Sequence, residues 1–369
     1  MKPGQDKAQL EKEFDDLASI HGGYWRYGFV DHSYLYNLYF PPEEFFELLQ
    51  SNIHALVQNY PVAQTKLAGW LGELIEQSPK HIVVGNGAAE LIKIISAHVS
   101  KKLIVPTPTF NEYVNAAPAG RVVEFSLDTP SFDLDVDRFV NAAKESKADV
   151  AVVVTPNNPT SKLVPKSDLL RLIAGLAEID CMLVVDESFI DFVEDRDQVT
   201  LERDIKQYPN LTILKSMSKA YGICGLRIGY ILTANTEFAE KVRSELPIWN
   251  LNGFAETFLE TATRFQEAFL TSCVQVRKDR DEFYRELSTV KGLTPYRPDA
   301  NFVFCRISDN TPDSLTIAKK LFVEHNIYIK HCQSKAMQEG DRFLRIACRT
   351  PGENSRLVSA LDELTRSYD

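Results

Sequence analysis

Between residues 80 and 232, short apolar runs rich in valine, isoleucine and leucine alternate with segments whose apolar residues recur at helical spacing. The runs predict strands and read HIVVG (81–85), KLIVP (102–106), RVVEF (121–125), DVAVVVT (149–155), CMLVVDE (181–187), LTILKS (211–216) and RIGYIL (227–232). Helical spacing is clearest over 88–98 and 167–177. Because strands that alternate with helices form parallel sheets covered on both faces, we predict an α/β domain with a mostly parallel seven-stranded sheet.

The pattern changes after residue 253. A long helical stretch spans roughly 254–287, and the strand-like runs FVFCRI, IYIKHC and FLRIACR follow, with one helix near 313–325 and another at the end of the sequence. This order predicts a smaller α+β domain. The first fifty residues, rich in Tyr and Phe, are expected to pack on that domain, so the predicted division is 1–50, then 51–249 for the large domain and 250–369 for the small one.

Composition narrows the class of protein. The chain has 369 residues, of which 44% are hydrophobic, and a formal net charge of -10. Because that charge provides no basic field, it argues against nucleic-acid and anionic-membrane partners. The six cysteines are scattered singly without metal-ligand spacing, and no run of about eighteen apolar residues occurs. We therefore predict a soluble cytoplasmic protein without a metal site.

The most informative run is LKSMSKAYGICGLRIGYI, residues 214–231. In it, Ser216 and Ser218 precede Lys219, and Arg227 follows eight residues later. The aldehyde of pyridoxal 5'-phosphate (PLP) needs a lysine amine, and its phosphate needs hydroxyl donors and a bidentate guanidinium. The run could supply both groups, although an ordinary surface lysine near a glycine turn is the alternative for this motif on its own.

Polar residues end several of the predicted strands, where open α/β sheets bind ligands. GNGAAELI opens a helix, so the amides of Gly87 and Ala88 can meet a phosphate; an ordinary glycine turn is the alternative. Asn158, in NNPT, could donate to a phenolate oxygen or simply mark a loop. Asp186 ends a buried apolar strand, where a carboxylate is costly unless paired. A protonated pyridine nitrogen is a suitable partner for it, and a helix cap or another arginine is the alternative.

Two arginines stand at even spacing near the end of the chain, in FLRIACR. Arg345 and Arg349 could therefore face one side of a strand and bind oxyanions. Ordinary surface arginines are the alternative.

In this order and spacing, the glycine turn, PTFNEY, NNPT, DESF, SMSK, the arginine at 227 and the late LRI resemble the fold type I PLP-dependent enzymes, specifically the class I/II aminotransferases. Within that group the chain looks most like histidinol-phosphate aminotransferase and the threonine-phosphate decarboxylase relatives, over about residues 50–350. The resemblance implies that Lys219 is the Schiff-base lysine and proton shuttle and that Asp186 is the partner of the pyridine nitrogen. The other cofactor contacts that it implies are Ser216, Arg227, Gly87 and Ala88 at the phosphate, Phe110 on the ring, Asn158 at O3', and Tyr60 crossing to the neighbouring site of a homodimer.

Three features depart from the family pattern. Most class I/II aminotransferases carry a tyrosine at the position of Phe189. The relatives of the phosphate-decarboxylase branch tend to have phenylalanine there, as this chain does. Residues 31–42, DHSYLYNLYFPP, lack the Asn-rich run of those decarboxylases although Asn37 persists, which implies a substrate other than threonine phosphate. Lys330 replaces a common arginine, so a point charge stands in place of a bidentate fork.

The cations and histidines of the implied substrate pocket indicate a doubly anionic substrate. The residues assigned to it are His21, His32, Asn37, Lys330, Arg345 and Arg349, although a neutral, packed role is the alternative for either histidine. We predict transamination of a small phosphate- or phosphonate-bearing amine with a 2-oxoacid acceptor; 2-aminoethylphosphonate and histidinol phosphate are the candidates. The alternatives are decarboxylation of an O-phospho-amino acid and, in another class, a non-catalytic PLP-binding protein.

Overall fold

The computed structural model describes residues 7–20 and 22–366. Over these residues the strands are β1 Val30–His32, β2 Ile82–Asn86, β3 Leu103–Thr107, β4 Val122–Ser126, β5 Val150–Val154, β6 Met182–Asp186, β7 Leu211–Ser216, β8 Ile228–Thr233, β9 Leu293–Pro295, β10 Phe302–Ile307, β11 Ile327–His331 and β12 Phe343–Ala347. The α-helices are α1 Lys7–Ser19, α2 Glu43–Gln58, α3 Gln64–Leu74, α4 Gly87–Lys93, α5 Glu112–Asn115, α6 Val136–Ser146, α7 Lys166–Ala177, α8 Arg196–Val199, α9 Met217–Ala220, α10 Thr236–Ser244, α11 Gly253–Thr261, α12 Gln266–Leu287, α13 Ser314–His325 and α14 Pro351–Arg366.

The predicted α/β class and its seven-stranded sheet are confirmed. The strands lie in the order β2-β8-β7-β6-β5-β3-β4, and β8 runs antiparallel to both of its neighbours while the other pairs are parallel. All residues of β3 and β5 are buried, as expected for parallel strands covered on both faces. The carboxyl ends of β3, β5, β6 and β7 therefore meet at one edge of the sheet, and β8 begins at that edge.

A second sheet has the order β1-β11-β12-β10-β9, with β1 parallel to β11 and the other pairs antiparallel. The runs FVFCRI, IYIKHC and FLRIACR supply its three central strands. Leu10, Phe14 and Leu17 of α1 belong to the same apolar core as Phe322 and Tyr328. The N-terminal helix is thus held by burial of its apolar face.

Two compact units emerge from the packing. Unit 1 comprises the described residues up to Leu35, Pro159–Ser161, and the described residues from Val276 onward; unit 2 comprises Tyr36–Asn158 and Lys162–Gln275. The segment predicted as 1–50 thus divides at residue 35. Residues 250–275, which the sequence pattern placed with the small domain, group with unit 2.

Local side-chain chemistry sets several helix boundaries. Asp135, Asn235, Asn252 and Asp313 cap the starts of α6, α10, α11 and α13, each accepting a hydrogen bond from a backbone N–H three residues later. The long helical stretch predicted over 254–287 is interrupted by a 3-10 turn at Ala262–Phe265. Within the described part of the chain, no helix is both long and apolar enough to cross a membrane.

Candidate active site

The carboxylate of Asp186 lies at the end of β6, where it is only 3% exposed. Ser188 donates to its Oδ1 from the backbone N at 3.0 Å and from Oγ at 2.5 Å, and the hydroxyl of Tyr113 donates to Oδ2 at 2.8 Å. Burial raises the pKa of Asp186, whereas these hydrogen bonds and the charge of Lys219 lower it. The result is a buried, well-oriented acid of the kind that can pair with a protonated ring nitrogen.

Sequence reasoning missed Tyr113 and Ser188. Tyr113 lies in α5, three residues after Phe110 in the PTFNEY motif, and Ser188 is the serine of DESF. The two motifs were quoted for other residues, namely Phe110 and Asp186. Each motif lies at or directly after the end of a strand, and that position was the signal in the sequence that could have identified the two donors.

Lys219 lies in the short helix α9, directly after β7, and is half-buried. Its backbone oxygen accepts hydrogen bonds from the N–H groups of Asn37, at 2.9 Å, and Gly222, at 3.3 Å. Gly222 has φ +61, and a Cβ there would lie 2.1 Å from the backbone oxygen of Phe40. The segment around residues 37–40 therefore packs tightly against the turn that follows the lysine.

The guanidinium of Arg227 lies against the start of α4. A Cβ at Gly87, which has φ +73, would lie 2.2 Å from Nη2 of Arg227, and a Cβ at Gly229 would lie 2.4 Å from the backbone N of Ala88. Arg227 itself has φ 59, a strained conformation for a residue with a side chain. The two glycines thus let a guanidinium and a helix start come close together, which is an arrangement suited to a phosphate.

Two serines flank this cradle. Nη1 of Arg227 donates to Oγ of Ser218 at 3.1 Å and to the backbone oxygen of Cys224 at 3.2 Å. Ser216, the serine predicted to contact the phosphate, is buried at the end of β7, and its N–H donates to Oγ of Ser188 at 2.9 Å. Ser218 is thus the serine that contacts the arginine in this structure, and a phosphate role for Ser216 stays a prediction.

The loops that follow β3 and β5 carry the two remaining predicted cofactor residues of the sheet edge. Asn158 is buried and Phe110 is 36% exposed. Neighbouring Asn157 ties the two loops together, donating to the oxygen of Pro108 at 2.9 Å and accepting from Thr109 Oγ1 at 3.0 Å. Apart from Tyr60, the predicted cofactor residues of unit 2 thus lie at or directly after the strand ends of one sheet edge.

Tyr60 lies on the surface of unit 2, with 78% of its area exposed. Its ring stacks on that of Trp249, with centroids 4.3 Å apart. Ile248 and Val57, also strongly exposed, are other large apolar side chains in the same two segments. A group of exposed apolar side chains of this kind is typical of a protein-protein contact.

Asn37, predicted to bind substrate, is buried and engaged within the protein. Its Nδ2 donates to the oxygen of Ala220 at 2.9 Å and to Ser272 Oγ at 2.7 Å, and its Oδ1 accepts from the N–H of Tyr39. The side chain therefore ties its segment to the end of α9. This geometry favours positioning of the lysine turn over direct contact with a substrate.

In unit 1, Lys330 and Arg345 are register partners on the antiparallel strands β11 and β12. Burial lowers the pKa of Lys330, and the charge of Arg345 lowers it further. Burial also lowers the pKa of Arg345, whose Nη2 donates to the backbone oxygen of Ser33. Two like charges side by side form a suitable site for a multiply charged anion.

Lys335 adds a third cation that sequence reasoning did not single out. It lies in the loop after β11, and its pKa is lowered to about 7 by burial, by the charge of Arg345 and by that of Lys330. No motif marks this residue. We call Lys330, Lys335 and Arg345 the cation cluster.

The other predicted substrate residues of unit 1 are placed differently. Arg349 pairs with Glu353 at 3.1 Å and donates to the oxygen of Asp31 at 2.9 Å, so its charge is compensated within the protein. His32 is fully buried, its Nδ1 lies 2.9 Å from the oxygen of Ala347, and burial lowers its pKa to about 4. This is the neutral, packed role that was the alternative for the histidine. His21 lies outside the described residues.

Comparison with known proteins gives the family. The model of aminotransferase class I and II matches residues 49–361. The chain is 42% identical over 350 residues to CMP-5'-(3-aminopropyl)phosphonate synthase of Streptomyces rubellomurinus, covering 94% of this chain and 55% of that protein. The chain thus spans about half the length of this relative.

Two further comparisons point the same way. The chain is 30% identical to an L-serine phosphate decarboxylase of Campylobacter jejuni, over 84% of this chain and 80% of that one. The crystal structure of histidinol-phosphate aminotransferase from Clostridium acetobutylicum superposes with a TM-score of 0.83 and 27% identity, over 92% of this chain and 99% of that one.

The residues of unit 2 fit the cofactor of this family. The half-buried Lys219 suits the aldehyde, and the buried acid held by Tyr113 and Ser188 suits the pyridine nitrogen. The guanidinium that lies against the start of α4 suits the phosphate. Because the family model covers most of the sequence, the chain belongs to the class I and II aminotransferases, with the fold type I architecture and pyridoxal 5'-phosphate as cofactor.

Proposed function

We propose that the chain is an enzyme that acts on a small amine or amino acid carrying a phosphate or phosphonate group. The observation that carries this proposal is the cation cluster of unit 1, in which Lys330 and Arg345 are register partners with lowered pKa values. Repulsion within such a cluster is relieved by an anion with more than one charge. The relatives named for phosphonate and for serine phosphate support the same substrate class.

The residues of unit 2 have proposed roles toward PLP. Nζ of Lys219 would hold the cofactor covalently and move a proton to or from the substrate carbon, and Asp186 would keep the ring nitrogen protonated. Arg227, Ser216 and the amides of Gly87 and Ala88 would bind the phosphate; Phe110 would stack on the ring and Asn158 would donate to O3'. When bound, PLP supplies an electron sink that weakens a bond at the carbon bearing the amine.

We further propose a homodimer in which Tyr60 reaches the neighbouring site. Its exposure and its stacking on Trp249 support a role for this surface in assembly. Sedimentation at micromolar concentration tests the assembly. A dimer that becomes a monomer in Trp249→Ser is the expected result, and a wild-type monomer that retains PLP and turnover would contradict it.

For the reaction itself, decarboxylation is our first candidate. Position 189 is a buried phenylalanine, which offers no hydroxyl to O3', and this departure from most aminotransferases is shared with the decarboxylase branch that the sequence resembles. The substrate would be an amino acid with a phosphate or phosphonate on its side chain. It would lose carbon dioxide and take up a proton at the same carbon, leaving the primary amine.

Transamination, the reaction predicted from the sequence, is the second candidate. The structural similarity to histidinol-phosphate aminotransferase over 92% of the chain favours it. A 2-oxoacid would then exchange its oxygen for the amine of the substrate, and both products would appear in equal amounts.

One experiment separates the candidates. The PLP-loaded protein is incubated with O-phosphoserine, with phosphonate-bearing amino acids, and with the corresponding amines plus a 2-oxoacid, while carbon dioxide and new amino acids are measured. Carbon dioxide without a 2-oxoacid requirement supports decarboxylation; a new amino acid that requires a 2-oxoacid supports transamination. Neither product from any substrate, with PLP retained, would favour the non-catalytic alternative. Lys219→Ala should remove all turnover.

A further inference from the structure

A cluster of charged side chains lies buried in unit 2. It consists of Asp191, Arg196, Glu202 and Lys215, with side-chain exposures of 4%, 31%, 6% and 4%, and we call it the ion cluster. Nζ of Lys215 lies 2.9 Å from Oδ1 of Asp191 and 3.5 Å from Oε1 of Glu202. Arg196 pairs with the same two acids. Two acids and two bases balance, which is the condition for burying charge in a protein interior.

The ion cluster joins the two strands that flank the lysine turn. Lys215 on β7 and Tyr230 on β8 are register partners, and the hydroxyl of Tyr230 donates to Oε1 of Glu202 at 2.7 Å. Glu202 therefore contacts both strands through side chains. Lys215 immediately precedes Ser216 and stands four residues before Lys219, while Tyr230 follows Gly229, which packs on Ala88.

The same cluster holds the segment that follows Asp186. Asp191 is five residues after that acid, so its pairing with Lys215 links the segment to β7. Two further links join these segments: the N–H of Glu187 donates to the oxygen of Leu214, and the N–H of Ser216 donates to Ser188 Oγ, each at 2.9 Å. The three links lie side by side.

Glu187 connects the loop that carries Glu202 to the same place. Its Oε2 accepts from Thr200 Oγ1 at 2.6 Å and its Oε1 accepts from the N–H of Leu201 at 2.9 Å. Burial raises its pKa to about 7, and the charge of Glu202 acts in the same direction. The residue that directly follows Asp186 is thus tied to the residue that directly precedes Glu202.

We propose that Asp191, Glu202 and Lys215 are positioning residues that fix the distance between Asp186 and Lys219 and hence the placement of the cofactor between them. This inference rests on the proposed cofactor roles of Asp186 and Lys219. Buried ion pairs are often replaceable by apolar residues without loss of stability, so stability alone does not account for the cluster. Ion pairs and hydrogen bonds are directional, so they fix the relative positions of the segments that they join more closely than apolar packing does. Lys215 directly precedes Ser216, and Asp191 lies on the short segment after Asp186, so the pairing of these two residues acts close to both sides of the site.

Two variants test the positioning role. Glu202→Gln keeps the shape of the side chain but removes its charge, and Tyr230→Phe removes one hydroxyl from the cluster. We expect both to shift the pH midpoint of the visible absorbance of bound PLP, by about half a unit to one unit, because the environment of the lysine and the acid changes. In Glu202→Gln, kcat should fall about tenfold while KM changes less than about twofold, as expected for misplaced catalytic groups.

The matched control is Asp149→Asn. The Asp149 carboxylate accepts hydrogen bonds from the N–H groups of Lys101 and Lys102 at the opposite end of the same sheet. Its loss should lower the free energy of unfolding, measured by urea, but leave the absorbance midpoint and kcat at the wild-type values. An equal midpoint shift in the control, or wild-type midpoints in both cluster variants, would overturn the proposal.

The absorbance measurement gives a result even if Glu202→Gln does not fold or if no substrate is turned over. If Glu202→Gln fails to fold, Tyr230→Phe and its control decide the question by the absorbance midpoint. If the wild-type protein binds PLP but turns over no substrate, the proposed function fails while the absorbance comparison still tests the positioning role.

Discussion

The hydroxyl of Tyr113 donates a hydrogen bond to Oδ2 of Asp186 over 2.8 Å, joining helix α5 to the last residue of β6. Hydrogen bonds to charged groups contribute about 1.5–3 kcal/mol. Because this one lowers the pKa of Asp186, Tyr113→Phe should raise that pKa further and weaken PLP binding about tenfold or more, as measured by equilibrium dialysis.

Tyr24→Phe is the matched control for this prediction. The Tyr24 hydroxyl donates to the backbone oxygens of Leu17 and Ile20 in unit 1, so the variant also loses a hydroxyl that bonds within the protein. PLP binding should remain at the wild-type level. Equal weakening in both variants would show that the effect of Tyr113 arises from general loss of stability.

Gly87→Ala should release PLP as effectively as Arg227→Ala. The new Cβ would lie 2.2 Å from Nη2 of Arg227, so the guanidinium must move away from the start of α4. Gly120→Ala provides the control, because Gly120 has φ +79, close to φ +73 at Gly87, but has nothing within 4 Å of its added Cβ. Both variants carry backbone strain, and only the first should lose PLP on gel filtration. Retention of PLP by Gly87→Ala would contradict the phosphate role of the arginine.

The affinity of unit 1 for divalent anions should depend on pH through Lys335. Its pKa is lowered to about 7, so the ammonium is present below that pH and lost as pH rises through it. Sulfate, which keeps its charge over the range, should bind several-fold more weakly at about pH 8.5 than at about pH 6 by calorimetry. Lys335→Arg, which stays charged, should remove this dependence, and Lys335→Met should weaken binding at about pH 6 while leaving binding at about pH 8.5 close to the wild-type level. An unchanged profile in Lys335→Met would exclude Lys335 from the anion site.

Acid should destabilise the fold through His32. The pKa of His32 is about 4 in the folded protein, whereas the ordinary value, which applies to the unfolded chain, is 6.5. As pH falls, the unfolded chain therefore takes up the proton at a higher pH than the folded protein does. The contribution of the neutral ring is complete above pH 6.5 and is lost as pH falls toward 4. Between about pH 7.5 and pH 5 this amounts to about 2 kcal/mol in the free energy of unfolding.

Urea titrations of His32→Gln should show a correspondingly flatter pH dependence. The exposed His54 offers the control, and His54→Gln should follow the wild-type curve. A wild-type-like slope in His32→Gln would mean that other groups cause the acid sensitivity.

The sequence predicted the sheet well because each strand is a short, uninterrupted apolar run bounded by polar residues. LTILKS was assigned to 211–216, the bounds of β7 in the structure. The motifs also located the ends of β6 and β7, since chemistry-bearing residues follow each run directly. Here a local pattern suffices, because strand periodicity and strand ends are local properties.

The remaining features depend on contacts between distant residues. Tyr113 and Asp186 are 73 residues apart in the chain, and no periodicity brings them together. His32 and Asn37 were assigned to the substrate pocket, yet both are buried and hydrogen-bonded to later parts of the chain. Lys335 has no motif around it, and its significance comes only from its proximity to Arg345.

The direction of β8 has a consequence for how the chain can vary in length. A strand that runs with its neighbours reaches the ligand edge only with its last residues, whereas β8 starts at that edge. The turn after Lys219 reverses the chain direction, and this reversal is enough to place Arg227 beside the start of α4. One residue added or removed within 220–226 would change the face of β8 on which each following side chain lies, and Tyr230 would no longer point at Glu202. We therefore expect this turn to tolerate no change of length.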